Sequence, residues 1–240
     1  MIEVRNLVKK YGNHTAVDNL SFTVKDGQVY GFLGPNGAGK STTMNIIIGY
    51  LSATDGEVII NGHNIFEEPE EAKKCIGYLP EIPPLYSDMT VKEHLSKGYK
   101  QRVGLAQAII GFPEIIILDE PTVGLDPKQI IEIRDLIKEL SKEHTIILSS
   151  HIMQEISAVC DHVLIINKGQ LVAEGTPEEL AEMTQGTQEV TLRVKAPKAT
   201  VENILNGVKN VHRKEYLDPV EEDTTEVVVY AQKEKDIRVD

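Results

Sequence analysis

The stretch Val29–Thr42, with the sequence VYGFLGPNGAGKST, joins a short apolar run to a loop rich in glycine. Within it, Gly34–Ser41 (GPNGAGKS) matches the pattern G-x-x-x-x-G-K-[ST] between a predicted strand and a predicted helix. Glycines allow backbone N–H groups to turn inward around a phosphate, and the following helix adds the positive end of its dipole. The stretch therefore predicts a phosphate-binding loop and an α/β fold of the P-loop NTPase type.

This loop predicts a binding site for ATP with Mg²⁺. Lys40 is expected to reach the β- and γ-phosphates, and the Ser41 hydroxyl is expected to ligate Mg²⁺. The predicted nucleotide-binding residues of the loop are Gly34, Pro35, Asn36, Gly37, Ala38, Gly39, Lys40, Ser41 and Thr42.

A pair of acidic residues, Asp119 and Glu120, ends the predicted buried strand Ile115–Leu118. Because successive strand residues point to opposite sides, the two carboxylates are expected to have different roles. Asp119 would hold the Mg²⁺ shell. Glu120 would orient the water that attacks the γ-phosphate, or accept its proton, and is with Lys40 a predicted catalytic residue.

The composition is that of an ordinary globular chain with 240 residues, of which 41% are hydrophobic. A formal net charge of -12 argues against a protein that coats DNA, so no nucleic-acid partner is expected. Two cysteines, Cys75 and Cys160, suit a reducing compartment better than a disulfide framework. The sequence shows neither the ~18 apolar residues of a membrane span nor a signal peptide, which predicts a cytoplasmic protein.

The apolar patterns predict two domains. The first, residues 1–185, is expected to be an ATP-binding domain in which an antiparallel β subdomain accompanies the P-loop core. The second, residues 188–240, reads as βαββ and is expected to be an incomplete α+β accessory domain without a role in phosphate chemistry. The predicted elements of the first domain include strands Ile2–Lys9, Val17–Val24 and Val29–Leu33, a hairpin turn Lys25–Gln28, helices Met44–Leu51 and Pro127–Glu143, and buried parallel strands in EIIILDEP and HTIILSSH.

The stretch Leu95–Arg102 (LSKGYKQR) resembles a variant of the LSGGQ signature of ABC transporters, with Ser96 and Gly98 retained. With the phosphate loop and the acidic pair, it makes the chain similar to the nucleotide-binding subunit of ABC transporters over roughly Ile2–Leu180. In that family the signature of one subunit closes on the γ-phosphate held by another, so that two subunits enclose two ATP molecules head to tail. The resemblance implies that Ser96 and Gly98 contact nucleotide.

The resemblance also implies roles for residues outside these motifs. Tyr11 matches the aromatic residue that stacks on adenine, with Val17 beside it, although a strand-end tyrosine packed on the core is an alternative. Asp126, in VGLDP, matches the loop that carries signals across the dimer. His151 matches the switch histidine that touches the γ-phosphate, and it is therefore a third expected catalytic residue.

One residue departs from the family pattern. Glu81, in GYLPE, stands where the family usually has the glutamine that senses Mg²⁺ and the membrane partner. A carboxylate there could accept a hydrogen bond from a metal-bound water, or could weaken γ-phosphate binding by repulsion, and the sequence leaves both open. Glu81 joins Ser41 and Asp119 as an expected metal-site residue.

The function implied by the resemblance is an ATPase subunit that forms a homodimer or a heterodimer. It would drive a separate transmembrane permease as a peripheral protein on the cytoplasmic face of the membrane. YLPE together with LSKGYKQR is most similar to exporters whose ATPase is a separate chain with a small C-terminal domain. The alternatives are a soluble ABC-type ATPase and an ATP-binding regulator, the second of which is disfavoured by the presence of Glu120.

The stretch Thr90–Arg102 (TVKEHLSKGYKQR) contains two helix starts in close succession. Thr90 and Glu93 have the spacing of a capping box, and Ser96 can cap the run that follows. The first helix would then fall far below the ~12 residues at which isolated helices become marginally stable. In the family a multi-helix subdomain separates these two regions. We therefore expect a segment to be missing near residues 94–96.

Overall fold

The computed structural model describes residues 1–83, 97–185, 188–208, 211–217 and 224–231. The chain divides into two compact units, residues 1–177 and 178–240. The elements are β1 (Ile2–Tyr11), β2 (His14–Val24), β3 (Val29–Leu33), α1 (Lys40–Ile47), β4 (Asp55–Ile60), β5 (His63–Asn64), α2 (Pro69–Lys74), β6 (Ile76–Leu79), α3 (Lys97–Ala108), β7 (Ile115–Leu118), α4 (Pro127–Leu140), β8 (Thr145–Ser150), α5 (Met153–Ser157), β9 (His162–Asn167), β10 (Gln170–Gly175), α6 (Pro177–Gln185), β11 (Gln188–Val194), α7 (Lys198–Gly207), β12 (Val211–Leu217) and β13 (Thr225–Ala231).

The first unit contains a six-stranded sheet in the order β10-β9-β3-β8-β7-β6. Its strands β9, β3, β8, β7 and β6 are parallel, and β10 is antiparallel to β9. Every residue of β7 and β8 is buried, because helices cover both faces of such a sheet and apolar side chains on either side find a core. The predicted α/β core with buried parallel strands is confirmed.

A second sheet, antiparallel and four-stranded, has the order β2-β1-β4-β5. It joins the parallel sheet through a shared core, in which the rings of Phe22 on β2 and Phe32 on β3 meet edge to face with centroids 5.2 Å apart. The predicted antiparallel subdomain is therefore confirmed. This packing brings the end of the β1–β2 hairpin close to the phosphate loop, since Asp18 N donates to Gly169 O and Gly169 N donates to Ala38 O.

Two local predictions in this unit are wrong. The turn Lys25–Gln28 does not form a hairpin, because β2 pairs with β1 whereas β3 pairs with β8 and β9. Apolar residues on both sides of β3 are buried in the central sheet, and this outweighs the local turn signal. The helix predicted over Met44–Leu51 begins earlier, at Lys40, and ends at Ile47, where Gly49 turns the chain at a φ of 67°.

The second unit contains the predicted βαββ order, with a three-stranded antiparallel sheet in the order β11-β13-β12. Helix α6, which the sequence placed in the first domain, groups with this unit. Val201 and Leu205 of α7 pack with Val227 and Val229 of β13 in a small core of their own.

Among the helices of the described residues, none is both long enough and apolar enough to span a bilayer.

Candidate nucleotide-binding site

The candidate site lies where parallel strands of the large sheet end. The order β3-β8-β7-β6 places four carboxyl ends side by side, and each is followed by a polar segment. Such an edge is where open α/β sheets bind ligands, because loops from different parts of the chain converge there. The segments begin at Gly34, His151, Asp119 and Pro80, respectively.

The phosphate loop is wrapped around the Lys40 ammonium group. Lys40 Nζ donates to Gly34 O at 2.7 Å and to Pro35 O at 3.3 Å, and the residue is only 5% exposed. Gly39 precedes α1 with a φ of 106°, and a Cβ there would lie 2.5 Å from Ala16 O. Because only glycine fits this conformation and this close approach, the structure requires a glycine at this position, as the motif does.

The two carboxylates of the acidic pair have different partners. Asp119 Oδ1 accepts hydrogen bonds from Ser149 Oγ at 2.6 Å and from Ser41 Oγ at 3.2 Å. Glu120 Oε1 lies 3.5 Å from Lys40 Nζ, and Glu120 Oε2 lies 3.0 Å from His151 Nδ1. One carboxylate therefore faces the Ser41 hydroxyl, while the other bridges the lysine and the histidine.

A cavity of about 480 Å³ opens above these groups. It brings together ten of the residues that the sequence singled out, from the hairpin, the phosphate loop and the strand ends. Its lining residues are Tyr11, His14, Ala16, Asn36, Gly37, Gly39, Lys40, Ser41, Thr42, Glu81, Glu120, Val123 and His151.

Other predicted residues of the same region do not line this cavity. Val17 is fully buried in the core, and its neighbour Ala16 lies in the cavity wall instead, because adjacent strand residues face opposite sides. Gly34, Pro35 and Ala38 belong to the loop but not to the wall. Asp119 lines a neighbouring cavity of about 1250 Å³, which also includes Ser41 and Glu81.

Tyr11 lies at the open end of the β1–β2 hairpin, where it pairs with His14 across the two strands. The residue is 48% exposed, and Lys9 Nζ lies 5.2 Å from the centroid of its ring. The ring is therefore not packed into the core, and one of its sides remains available to a flat ligand. His14 was not predicted, since nothing in its local pattern distinguishes it from any polar hairpin residue.

The residues of the signature region lie elsewhere. Gly98 is buried against α4, where a Cβ would lie 2.7 Å from the Gln129 side chain. Asp126 accepts from Gln129 N at 2.9 Å and caps α4 in a capping box with Gln129. Gly98, Asp126 and Gln129 line a separate cavity of about 180 Å³. Ser96 and the expected gap near residues 94–96 lie outside the described residues.

Ser149 is a site residue that the sequence analysis missed. It is fully buried, donates to Asp119 Oδ1 and accepts from Glu120 N at 2.8 Å, so it holds both members of the acidic pair. The signal available in the sequence was two hydroxyl residues between a buried apolar strand and His151. Such hydroxyls need buried partners, and the neighbouring strand end supplies them.

Tyr78, which lines the 1250 Å³ cavity, has a raised pKa. Burial, reinforced by the carboxylates of Asp119 and Glu81, raises the pKa of Tyr78 to about 12. The phenol is thus neutral at physiological pH and cannot act as a base. Among the described residues that line the 480 Å³ cavity, only Lys40 carries a permanent positive charge.

A family model described as ABC transporter matches residues 17–94, and one described as AAA domain, putative AbiEii toxin, Type IV TA system matches residues 87–157. The chain is 39% identical over 211 residues to the bacitracin transport ATP-binding protein BcrA of Bacillus licheniformis, a similarity that covers 72% of this chain and 69% of that protein.

Two solved structures resemble the fold. One, an ATP-binding subunit of an ABC transporter, has a TM-score of 0.69 and 29% identity and covers 77% of this chain and 93% of its own. The other, the ATP-binding cassette MJ0796 in a dimeric post-hydrolysis state bound to ADP and Pi, has a TM-score of 0.64 and 25% identity and covers 74% of this chain and 99% of its own.

Proposed function

Because the chain belongs to the ABC transporter family of ATP-binding proteins, we propose that it hydrolyses ATP in the 480 Å³ cavity and thereby drives a separate membrane permease. The observation that carries this proposal is the placement of Glu120 between Lys40 Nζ and His151 Nδ1. A carboxylate beside a phosphate-binding lysine is suited to orient a water molecule and to accept its proton. His151, on the other side, can hold that carboxylate in place and reach the γ-phosphate.

The remaining residues of the cavity fit the parts of the nucleotide. We assign the phosphates to the loop and to Lys40, whose ammonium group donates to the backbone carbonyls of Gly34 and Pro35 and lies 3.5 Å from Glu120 Oε1. We assign the adenine to the exposed ring of Tyr11. The cavity lining includes both Tyr11 of the hairpin and the strand-end residues Glu120 and His151, so this assignment puts the base at the hairpin and the γ-phosphate at the strand ends.

We assign Mg²⁺ to the place where Ser41 and Asp119 meet. The donors fit this ion, because a hydroxyl oxygen and a carboxylate oxygen are hard ligands, and Mg²⁺ keeps several waters and substrate oxygens as its other ligands. The described residues contain no group of three or more metal-ligating side chains, so the ion is expected to bind together with the nucleotide. Bound there, it would neutralise phosphate charge. Glu81, at the edge of both cavities, can accept a hydrogen bond from one of its waters.

The dimer is proposed to be head to tail, as a homodimer or a heterodimer. Gly98 and Asp126 lie beside a cavity of their own rather than in the wall of the 480 Å³ cavity. This supports a role for the signature region, including Ser96, at the nucleotide of the other subunit. The dimeric state of MJ0796, a structural relative, supports the formation of a dimer. The dimer would act at the cytoplasmic face of the membrane, where the permease would dock.

Calorimetry with ATP and Mg²⁺ tests the proposed site. Lys40→Ala should lose most of the affinity, because it removes a permanent positive charge from the cavity lining. Lys142→Ala is the matched control, since Lys142 is exposed and pairs with Glu139 at 2.6 Å. If folded Lys40→Ala binds ATP as tightly as the control, the nucleotide does not bind in this cavity.

We further propose that the native protein has an additional segment near residues 94–96 of this sequence. The similarity to BcrA extends over 211 residues but covers 72% of this 240-residue chain, or about 173 residues. About 38 positions of the relative therefore face no residue of this chain. The ABC transporter model also stops matching at residue 94. These two observations support the gap that the paired helix starts predicted.

Intact-mass spectrometry of the protein from its native source tests the gap. At the average residue mass of this chain, about 38 residues add about 4 kDa to the 26.6 kDa of the sequence. A mass near 31 kDa or above, with a peptide map that places added residues between residues 90 and 102, would support a missing segment. A mass of 26.6 kDa would mean that the chain is continuous and lacks a subdomain that its relatives have.

A further inference from the structure

Glu155 is a buried carboxylate that the proposed mechanism does not use, and it is not among the residues that line the 480 Å³ cavity. Glu155, on α5, is 9% exposed. Its Oε2 atom accepts a hydrogen bond from Thr122 Oγ1 at 2.6 Å and another from Ser150 Oγ at 2.9 Å. Both donors are also buried, Thr122 at 7% exposure and Ser150 at 1%. A buried carboxylate is costly unless it is hydrogen-bonded, so these three side chains form a unit.

The two donors belong to the two segments that carry the catalytic pair. Thr122 lies two residues after Glu120, and Ser150 directly precedes His151. Ser150 Oγ also accepts from Ile152 N at 3.1 Å, which fixes the turn into α5. Glu155 therefore links the segment after β7 to the end of β8 through buried hydrogen bonds outside the cavity lining. The contact between Glu120 and His151 links the same two segments on the cavity side.

We propose that Glu155 is a positioning residue for ATP hydrolysis, setting the distance between Glu120 and His151 through Thr122 and Ser150. This inference rests on the proposed function. Glu155 touches no substrate: it is absent from the lining of the 480 Å³ cavity. Its effect is confined to the geometry of the two catalytic side chains, so it acts on turnover and leaves the phosphate loop, which is anchored through Lys40 to Gly34 and Pro35, unchanged.

The chemistry of the contact predicts which substitutions preserve it. Both hydroxyls donate to the same oxygen, so the carbonyl oxygen of a glutamine can accept both. Alanine leaves two buried hydroxyls without their acceptor and opens space behind the two segments. A displacement of about 1 Å at catalytic groups can cost on the order of 100-fold in rate. Glu155→Ala and Glu155→Gln therefore separate the loss of the contact from the loss of the charge.

The test compares ATP turnover and ATP affinity in the full-length chain and its variants. For Glu155→Ala we expect kcat to fall by about 10- to 100-fold, with KM and the calorimetric Kd for ATP changed by less than about threefold. Glu155→Gln should recover kcat to within about threefold of the parent. Glu139→Gln, an exposed glutamate on α4, is the control for removal of a negative charge.

Thr122→Val is the second variant, because it removes one donor, keeps the side-chain shape and leaves Glu155 bonded to Ser150. It should lower kcat in the same direction as Glu155→Ala, at unchanged ATP affinity. The inference is overturned if Thr122→Val or folded Glu155→Ala turns over ATP at the parent rate, or if affinity falls as much as kcat. Absence of turnover in the parent chain would overturn the proposed function, and this inference with it.

Discussion

Ser149→Ala is the substitution whose effect on stability can be worked out most directly from the structure. The Ser149 hydroxyl is fully buried, donates to Asp119 Oδ1 at 2.6 Å and accepts from Glu120 N at 2.8 Å. Alanine deletes both hydrogen bonds without changing the packing of the Cβ. Asp119 keeps one donor, Ser41 Oγ at 3.2 Å, whereas the Glu120 N–H loses the acceptor seen in the structure.

The magnitude follows from the two bonds. A hydrogen bond to a charged group contributes about 1.5–3 kcal/mol, and a buried donor left without a partner costs about 1–3 kcal/mol. Because the two share one hydroxyl, we expect a combined loss of about 3 kcal/mol in the free energy of unfolding rather than the sum of the upper limits. For a domain of this size such a loss lowers the midpoint of thermal unfolding by about 6–12 °C.

Urea unfolding, followed by circular dichroism, measures this loss. Ser141→Ala is the control, since Ser141 Oγ donates to Lys138 O at 2.9 Å in an exposed position after α4. The control should change the free energy of unfolding by less than about 0.5 kcal/mol. If Ser149→Ala loses less than about 1 kcal/mol, the hydroxyl does not hold the acidic pair as the structure indicates.

Three further predictions concern other parts of the chain. Cys160 is 7% exposed, and burial raises the pKa of its thiol. A thiol reagent at pH 8 should therefore modify only the half-buried Cys75 in the native protein and both cysteines after denaturation. Rapid reaction of both thiols in the native protein would contradict the burial of Cys160. Asp126→Ala removes the capping box of α4 and should cost about 1 kcal/mol in urea unfolding, and an unchanged midpoint would mean that the cap is dispensable. A chain ended at Gln185 should bind ATP with the parent affinity, because the cavity is built from residues up to His151, and a large loss in calorimetry would show that residues beyond 185 complete the site.

The parts of the fold that the sequence predicted are those with local causes. The phosphate loop depends on glycines and a lysine at fixed spacing, and the strands β7 and β8 depend on continuous apolar runs. The hairpin at Lys25–Gln28 was wrong because the partner of β3 is chosen by burial in the central sheet, with strands more than 100 residues away. No local turn signal contains that information.

The candidate site divides in the same way. Lys40, Ser41 and Glu120 could be found from motifs, and the cavity brings them together. The contacts of Ser149 with Asp119 and of Glu155 with Thr122 could not, since each joins residues about 30 positions apart and neither follows a motif. Ala16, and not the predicted Val17, lines the cavity, because adjacent residues of a strand face opposite sides. The register of the β1–β2 hairpin decides which of the two faces the cavity.

Glu120→Gln tests whether Glu120 activates water for ATP hydrolysis in this cavity. The amide keeps the size of the side chain but is a far poorer proton acceptor. The measurement is phosphate release under saturating ATP and Mg²⁺, with ATP affinity determined on the same preparation and Glu139→Gln as the control. We expect Glu120→Gln to bind ATP at least as tightly as the parent and to lose nearly all turnover, while the control behaves as the parent does. Turnover by folded Glu120→Gln at the parent rate would mean that another group activates the water.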